Sequence, residues 1–365
     1  MDTILIRYAE IALKGANRHI FEDQLIKNIK LSQKSPLQII KLQKQILITG
    51  EKIDLDKLKQ VFGIAWLAPV IITPNDLPSI AKAALKLTLP KLTFAVRAHH
   101  GLEVTLGDIV RLKKKIKVDL SHPQQTIYIS IIDHQVLIYN QKIPGPGGLP
   151  VGTSGKILCL LSGGFDSIAA AYMLAKRGAK VDFLHFHVFP NADQVLKSKI
   201  KTITDHLKNL TLSCQLFLAS YTPFQMQVLD LPPDLVKQEL VVYRRLMVRV
   251  GEMLAQKYGY QALILGDSLG QVASQTLENI VAVDEAVKIP LFRPLIGTDK
   301  KDIIDLVRLI GLEAVTNQPY KDCCSLIATH PSTIANFKKI ASLEQKIKIN
   351  DIIKEIAAHV EIFNL

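Results

Sequence analysis

The sequence predicts an α/β protein: a doubly wound parallel sheet in its C-terminal part, preceded by two small α+β units. Three observations carry that reading. From residue 156 onward, short apolar runs such as Ile157-Leu158-Cys159-Leu160-Leu161 alternate with longer helical patterns, as in strands covered on both faces. Before residue 143, short strands and short helices alternate. Between them, Ile143-Pro144-Gly145-Pro146-Gly147-Gly148-Leu149-Pro150 holds too much proline and glycine to continue either element, so 143–155 is read as a linker.

Taken in order, residues 3–8 read as a strand. Residues 18–31 read as a helix with Ile20, Phe21, Leu25 and Ile29 on its apolar face. Residues 37–42 and 45–49 are two strands around a turn, and 54–61 is a short helix capped by Asp54. This order resembles a ferredoxin-like α+β unit, with a first domain expected at 1–53. A second domain is expected at 54–142. It holds a strand at 68–72, a helix at 77–87 and a strand at 93–97. A helix at 107–119 and a hairpin, 126–132 with 135–140, turning at Asp133-His134, complete it. The domain at 156–365 follows. Its strands fall at 157–161, 180–185, 214–218 and 262–265, with helices at 167–177, 193–208 and 237–258. Two C-terminal helices, 331–346 and 351–362, finish the chain.

Composition narrows the class. Of 365 residues, 48% are hydrophobic and 21% charged, which excludes a disordered chain. Four cysteines are too few for a disulfide framework. The start has no leader-like pattern, and the longest apolar stretch, near 64–72, is broken by Pro69 and falls short of the roughly 20 residues a spanning helix needs. A cytoplasmic, reducing setting with no membrane is expected. The net charge of +12 points to a polyanionic partner. It is unevenly placed: residues 1–150 hold 21 Lys/Arg against 12 Asp/Glu, a net +9, and residues 151–365 hold 24 against 21, a net +3. Within the first part, Arg111-Leu112-Lys113-Lys114-Lys115-Ile116-Lys117 is the densest run. Ile109, Val110, Leu112, Ile116 and Leu120 can share one helical face, leaving the basic residues as an outward stripe. Such a stripe suits successive phosphates, and it equally suits a plain amphipathic helix. Arg97, Arg111, Lys113, Lys114, Lys115 and Lys117 are the candidate contacts to a polyanion such as a nucleic acid.

The turn after the first strand of the C-terminal sheet reads Ser162-Gly163-Gly164-Phe165-Asp166-Ser167. Ligands of open α/β sheets bind at such strand ends. Two glycines let backbone N–H groups close around phosphate oxygens, and the following helix offers its positive end. Ser162 and Ser167 add hydroxyls, and Asp166 can hold the loop or approach a Mg2+ carried by a nucleotide. A Walker loop does not fit, since Pro150 stands where its first glycine belongs and Ile157 follows Gly155-Lys156. Ser-Gly-Gly-x-Asp-Ser is instead the PP-loop of enzymes that split ATP between the α and β phosphates. No metal-ligand spacing is present.

Further segments resemble the tRNA 4-thiouridine synthetases, the ThiI family of tRNA sulfurtransferases, over essentially the whole chain. They are Arg7-Tyr8-Ala9-Glu10 with Lys14-Gly15, the Pro/Gly stretch 143–150, His185-Phe186-His187 and Arg244-Arg245-Leu246-Met247. Residues 266–277, 294–300 and Asp322-Cys323-Cys324-Ser325 are similar too. The resemblance implies a ferredoxin-like domain, a THUMP RNA-binding domain and a PP-loop domain of the adenine nucleotide alpha hydrolase type. It implies ATP-dependent thiolation of uridine at position 8 of tRNA, in which ATP adenylates uracil O4 and a persulfide sulfur displaces AMP. The family's ATP contacts carry over to Leu160, Leu161, His185, Phe186, Arg244, Gly266 and Gln275. The persulfide-bearing residue carries over to Cys324.

The other cysteines read differently. Cys159 and Cys214 fall in strands and read as buried small hydrophobes. Cys323 reads as a bystander or an auxiliary thiol. Some relatives carry a C-terminal rhodanese domain to which their part in thiamine synthesis is tied. None is apparent before Leu365, so sulfur is expected from a cysteine desulfurase or another persulfide donor. A homodimer is expected from the same resemblance. Two other functions compete: another PP-loop tRNA-modifying adenylating enzyme, and a non-catalytic THUMP RNA-binding protein.

Overall fold

The computed structural model describes residues 1–98, 101–132, 135–212, 214–327 and 331–365, without the side chains of Cys324 and Ser325. Its contacts divide the chain into two units, Met1–Leu149 and Pro150–Leu365.

The strands of the first unit are β1 (Asp2–Tyr8), β2 (Leu37–Leu42), β3 (Gln45–Gly50), β4 (Ile64–Pro69), β5 (Ile71–Pro74), β6 (Phe94–Arg97), β7 (Gln125–Ile132), β8 (Gln135–Tyr139) and β9 (Ile143–Pro144). They pair in the orders β2-β3-β1-β4-β9 and β5-β8-β7-β6. Ile4, Leu5 and Ile6 are all buried because both faces of β1 are covered. Ile4 and Ile6 pack with Leu25 and Ile29 of the helix Arg18–Ser32, while Leu5 meets Leu47, Ala68, Leu137 and Tyr139. As expected, Asp54 caps the short helix Leu55–Leu58, accepting from Lys57 N–H at 3.1 Å. The helix Leu77–Leu87 falls where its pattern places it.

Several expectations shift. The apolar stretch 64–72 is two strands rather than one at 68–72, and the chain passes from the first sheet to the second at Val70, whose N–H donates to Thr3 O at 2.9 Å. Because β4 pairs with β1, the first sheet runs past the expected division at residue 53. The Pro/Gly stretch is docked rather than free at its start: β9 pairs with β4, and the Gly145 and Gly147 amides donate to Ala65 O and Ile64 O, each at 2.9 Å. The basic helix is Leu102–Lys114, not 107–119, since Lys115 turns left-handed at φ +54°. Residues 116–119 then leave the helix and run beside β6, with Phe94 N–H donating to Lys117 O at 3.1 Å. Leu112 and Leu120 are therefore 68% and 60% exposed, and Leu106 and Val110 form the buried face. The hairpin turn at Asp133-His134 lies outside the described residues.

The second unit contains β10 (Lys156–Leu160), β11 (Lys180–His187), β12 (Gln215–Ser220), β13 (Ala262–Ile264), β14 (Leu291–Phe292) and β15 (Glu361–Asn364). The sheet order is β14-β13-β10-β11-β12-β15. All neighbours are parallel except β15, which runs antiparallel to β12. The helix expected at 351–362 is Ile349–Ala358, and the residues after it make this edge strand. The helix expected at 193–208 is two, Ala192–Leu196 and Lys199–Thr211, parted where Ser198 caps the second. The helix expected at 331–346 starts only at Phe337, capped by Asn336. The long helix Glu239–Tyr258 ends at Gly259 and packs over β10 and β13. From β10 the chain winds outward to β11 and β12, then returns to place β13 on the other side of β10. That reversal leaves a crevice at the carboxyl ends of β10 and β13.

Candidate nucleotide site and cysteine turn

The phosphate loop leaves β10 at Leu160 and enters the helix Phe165–Lys176. Ser162 N–H donates to Ser167 Oγ at 3.2 Å, Gly164 N–H to Ser162 Oγ at 3.3 Å, and Ser167 Oγ to Gly164 O at 3.2 Å. The two serines thus brace a loop whose amides and helix N-terminus suit an anion. Gly163 is left-handed at φ +77°, and a Cβ there would lie 2.6 Å from Ile200 Cδ1. Gly266, beyond β13, approaches from the other side. A Cβ at Gly266 would stand 2.7 Å from Asp166 C and Ser167 N, so no larger residue fits without moving the loop.

Between these segments lies a cavity of about 240 Å³. Leu160, Ser162, Asp166, Ser167, Arg244, Gly266 and Gln275 line it, all positions expected from sequence. The Asp166 carboxylate accepts from Lys300 Nζ at 2.6 Å and Gln271 Nε2 at 2.9 Å. Arg244 donates to Ser274 O at 2.7 Å and pairs with buried Asp267 at 2.6 Å. Arg293 donates to Asp267 at 2.9 Å and to Asp284 at 3.2 Å, extending the chain of charges. Burial works to raise the Asp267 carboxyl, but Arg244 and Arg293 outweigh it and hold it below its ordinary value. Arg293, Lys300 and Gln271 escaped the sequence reading as site residues. Their signal lay in position alone, inside or beside the segments 266–277 and 294–300.

Other expected residues stand around the cavity rather than on its wall. Leu161 is buried, with its N–H donating to Leu184 O at 2.8 Å. Phe186 packs edge-on against Tyr243, with centroids 6.1 Å apart. The His185 ring is buried, its Nδ1 2.7 Å from Leu161 O and its Nε2 2.7 Å from Tyr320 Oη. Burial pushes its pKa down to about 4, against the opposing Leu161 bond. Gly163 and Gly164 shape the loop from outside the cavity wall.

The cysteine pair sits on a 3-10 turn, Cys323–Leu326, entered from Asp322, which lines the cavity. Cys323 is buried and its thiol donates to Phe186 O at 3.3 Å. The Cys324 side chain lies outside the described residues. Cys159 and Cys214 are buried as expected, and burial raises both thiols.

In the first unit, Arg111, Lys113, Lys115 and Lys117 are exposed and Lys114 is half-buried; Arg111 pairs with Asp108 at 3.1 Å. Arg97 donates to Leu120 O at 2.6 Å. Arg97 also borders a cavity of about 400 Å³ that sequence reasoning missed, lined in part by Arg7, Trp66, Tyr128, Tyr139 and Lys142. Tyr128 and Tyr139 stack at 5.1 Å, Trp66 tilts against Tyr139 at 5.8 Å, and Lys142 Nζ lies 4.0 Å from the Tyr128 ring centre. Among the described residues, no three His, Cys, Asp or Glu side chains are grouped to hold a metal ion, and no helix is long and apolar enough to cross a membrane.

Comparison with known proteins adds to this geometry. The family described as Thiamine biosynthesis protein (ThiI) matches residues 152–349, and the ThiI ferredoxin-like domain matches residues 3–68. A probable tRNA sulfurtransferase of Thermoanaerobacter sp. (strain X514) is 36% identical over 95% of this chain and 96% of its own. Another, from Caldanaerobacter subterraneus subsp. tengcongensis, is 35% identical over 95% of each. The crystal structure of a 4-thiouridine synthetase in complex with RNA and bound ATP superposes with a TM-score of 0.90, at 29% identity over all of both chains.

Proposed function

The chain belongs to the ThiI family of tRNA sulfurtransferases, and we propose that it makes 4-thiouridine at position 8 of tRNA in two steps at the crevice between β10 and β13. The observation that carries this reading is the joining of three parts around one cavity: the braced serine loop, Arg244, and Asp322 at the entry to the cysteine turn.

ATP is a substrate here. The loop amides and the helix N-terminus hold its phosphates, and Arg244 adds a fixed cation. Gly266 keeps the wall open. His185 and Phe186 serve through the strand end they occupy, since their rings are turned into protein. Mg2+ would arrive on the nucleotide, with the Asp166 carboxylate on the cavity wall as the side chain to hold it. Uracil O4 attacks the α-phosphorus and pyrophosphate leaves. The terminal sulfur of a Cys324 persulfide then attacks C4 and AMP leaves. A second thiol attacks the Cys324 sulfur of the remaining S–S bond, leaving the outer sulfur on the ring and Cys324 in a disulfide, which a further external thiol reduces to free Cys324. A cysteine desulfurase or another persulfide donor reloads Cys324, which suits a reducing, cytoplasmic setting.

The domains divide the labour as a ferredoxin-like domain over 1–69, completed by β9, a THUMP domain from β5 to residue 142, a linker ending at 155 and a PP-loop domain at 156–365. The basic residues Arg97, Arg111, Lys113, Lys114, Lys115 and Lys117 meet tRNA phosphates. The cavity lined by Trp66, Tyr128, Tyr139 and Lys142 supports the same reading, since stacked rings beside cations suit an unpaired nucleotide. A homodimer would let one copy present tRNA to the other.

The test is incubation with unmodified tRNA, ATP, Mg2+ and a desulfurase supplied with cysteine, followed by nucleoside analysis. The expected product is 4-thiouridine with one AMP. AMP with a different nucleoside would assign another adenylating enzyme, and tRNA binding without AMP would assign a non-catalytic RNA-binding protein.

A further inference from the structure

Both nitrogens of the His185 ring are engaged, one by the carbonyl of Leu161 and one by the hydroxyl of Tyr320, each at 2.7 Å. A carbonyl only accepts, so Nδ1 carries the proton. Burial keeps the ring neutral near pH 7. Nε2 is therefore the acceptor, and the Tyr320 hydroxyl donates to it. The bond has one sense only, running from Tyr320 through the imidazole to the carbonyl at which the phosphate loop begins. The ring is 1% exposed, so it faces protein rather than nucleotide.

Tyr320 lies just ahead of Asp322 and the Cys323–Leu326 turn. Its ring also packs on Phe189 at 5.7 Å. A second tie lies one residue along β11 from the first: the Cys323 thiol on Phe186 O, at 3.3 Å. Two adjacent residues of one core strand thus hold the segment that enters the cysteine turn.

We propose that Tyr320 is a positioning residue for the sulfur-transfer step, its hydroxyl bond to His185 setting the cysteine turn against the phosphate loop. The inference rests on the sulfurtransferase reading above. Adenylation uses the loop and Arg244 and does not require the turn. Displacement of AMP requires the persulfide sulfur roughly 3–3.5 Å from C4. When the segment is loosened, the adenylated uridine waits, and water takes the place of sulfur. AMP then leaves, uridine is restored, and ATP is consumed without thiouridine.

Tyr320→Phe keeps the ring and removes the hydroxyl. Wild type and variant are each given unmodified tRNA, ATP and a desulfurase with cysteine, and AMP and 4-thiouridine are counted. The excess of AMP over one per thiouridine is expected to rise roughly fivefold to tenfold in the variant, the scale of one lost part-buried hydrogen bond, with ATP and tRNA affinities unchanged. A merely structural role lowers both products in proportion. An unmoved ratio therefore overturns the proposal. Phe189→Leu, which loosens the ring and spares the hydroxyl, provides a second measurement: a smaller rise supports the proposal and a wild-type ratio counts against it. Wild-type protein that makes no thiouridine overturns the sulfurtransferase reading itself, a failure visible before any variant is compared.

Discussion

The Asp267 carboxylate accepts from a single guanidinium nitrogen of Arg244 at both of its oxygens, at 2.6 and 2.8 Å. Both side chains are largely buried, so neither charge has much water to fall back on. Removing one partner of such a pair typically costs about 3–5 kcal/mol. Asp267→Asn is expected to lower the urea midpoint and to weaken ATP binding by roughly tenfold or more, because Arg244 loses the group that aims it. Isothermal titration with ATP reads the effect. Unchanged affinity would detach Arg244 from the nucleotide.

Cys324→Ser tests the second half of the reaction alone. ATP and tRNA binding should persist, and AMP should still form slowly through hydrolysis, while 4-thiouridine disappears. Full thiolation by this variant would remove Cys324 from the mechanism.

Joint replacement of Lys113, Lys114, Lys115 and Lys117 by Ala should weaken tRNA binding and flatten its dependence on salt. Each lost phosphate contact takes about 0.7–0.9 from the slope of log K against log salt. ATP affinity should stay as it is. A fall in ATP binding with tRNA binding intact would mean that this charge serves a different task.

On mild acidification His185, whose pKa moves from 6.5 to about 4 on folding, contributes a loss of stability, opposed by Glu239, whose carboxyl burial raises to about 7. Between the two His185 values the unfolded chain binds the proton and the folded chain does not, so this share of stability decreases as pH drops through the window and the loss is complete near pH 4. His187 shifts in the same direction, burial again being the cause. Urea midpoints from pH 7 to 4.5 measure the slope. Against wild type, His185→Gln should remove the destabilising share that His185 adds on acidification, leaving the share of His187 and the opposing one of Glu239.

The turn over 162–167 was legible in the sequence because its geometry is local. Six contiguous residues, Ser162 to Ser167, supply the turn, the hydroxyls and the helix start, and an apolar strand precedes them. Gly266 and Gln275 were legible through resemblance, not through spacing. What escaped depends on pairing between distant segments. The division of 64–72 into β4 and β5 follows from which sheet each half joins; Pro69 interrupts the run but carries no sign that its two halves enter different sheets. Helical periodicity around 102–120 accommodates more than one register, and the left-handed turn at Lys115 selects the earlier one. The final residues read as helix because Ile352, Ile353, Ile356 and Val360 keep its spacing, yet the exposed flank of β12 draws Glu361–Asn364 into an edge strand. Trp66, Tyr128 and Tyr139 come from three strands of two sheets, so their cluster appears only once both sheets are paired. Tyr320 and His185 are 135 positions apart, and nothing local links them.

The crevice between β10 and β13 also has a kinetic consequence. Gln271 reaches Asp166 across 105 residues of sequence, and Lys300 reaches it across 134. Parallel pairing of β10 with β13 must close a long loop before either contact can form, and such closures belong to the slow part of folding. A refolding chain would therefore gain secondary structure well before it gained affinity for nucleotide. ATP, by binding the finished chain and not its precursors, would draw late intermediates forward by mass action.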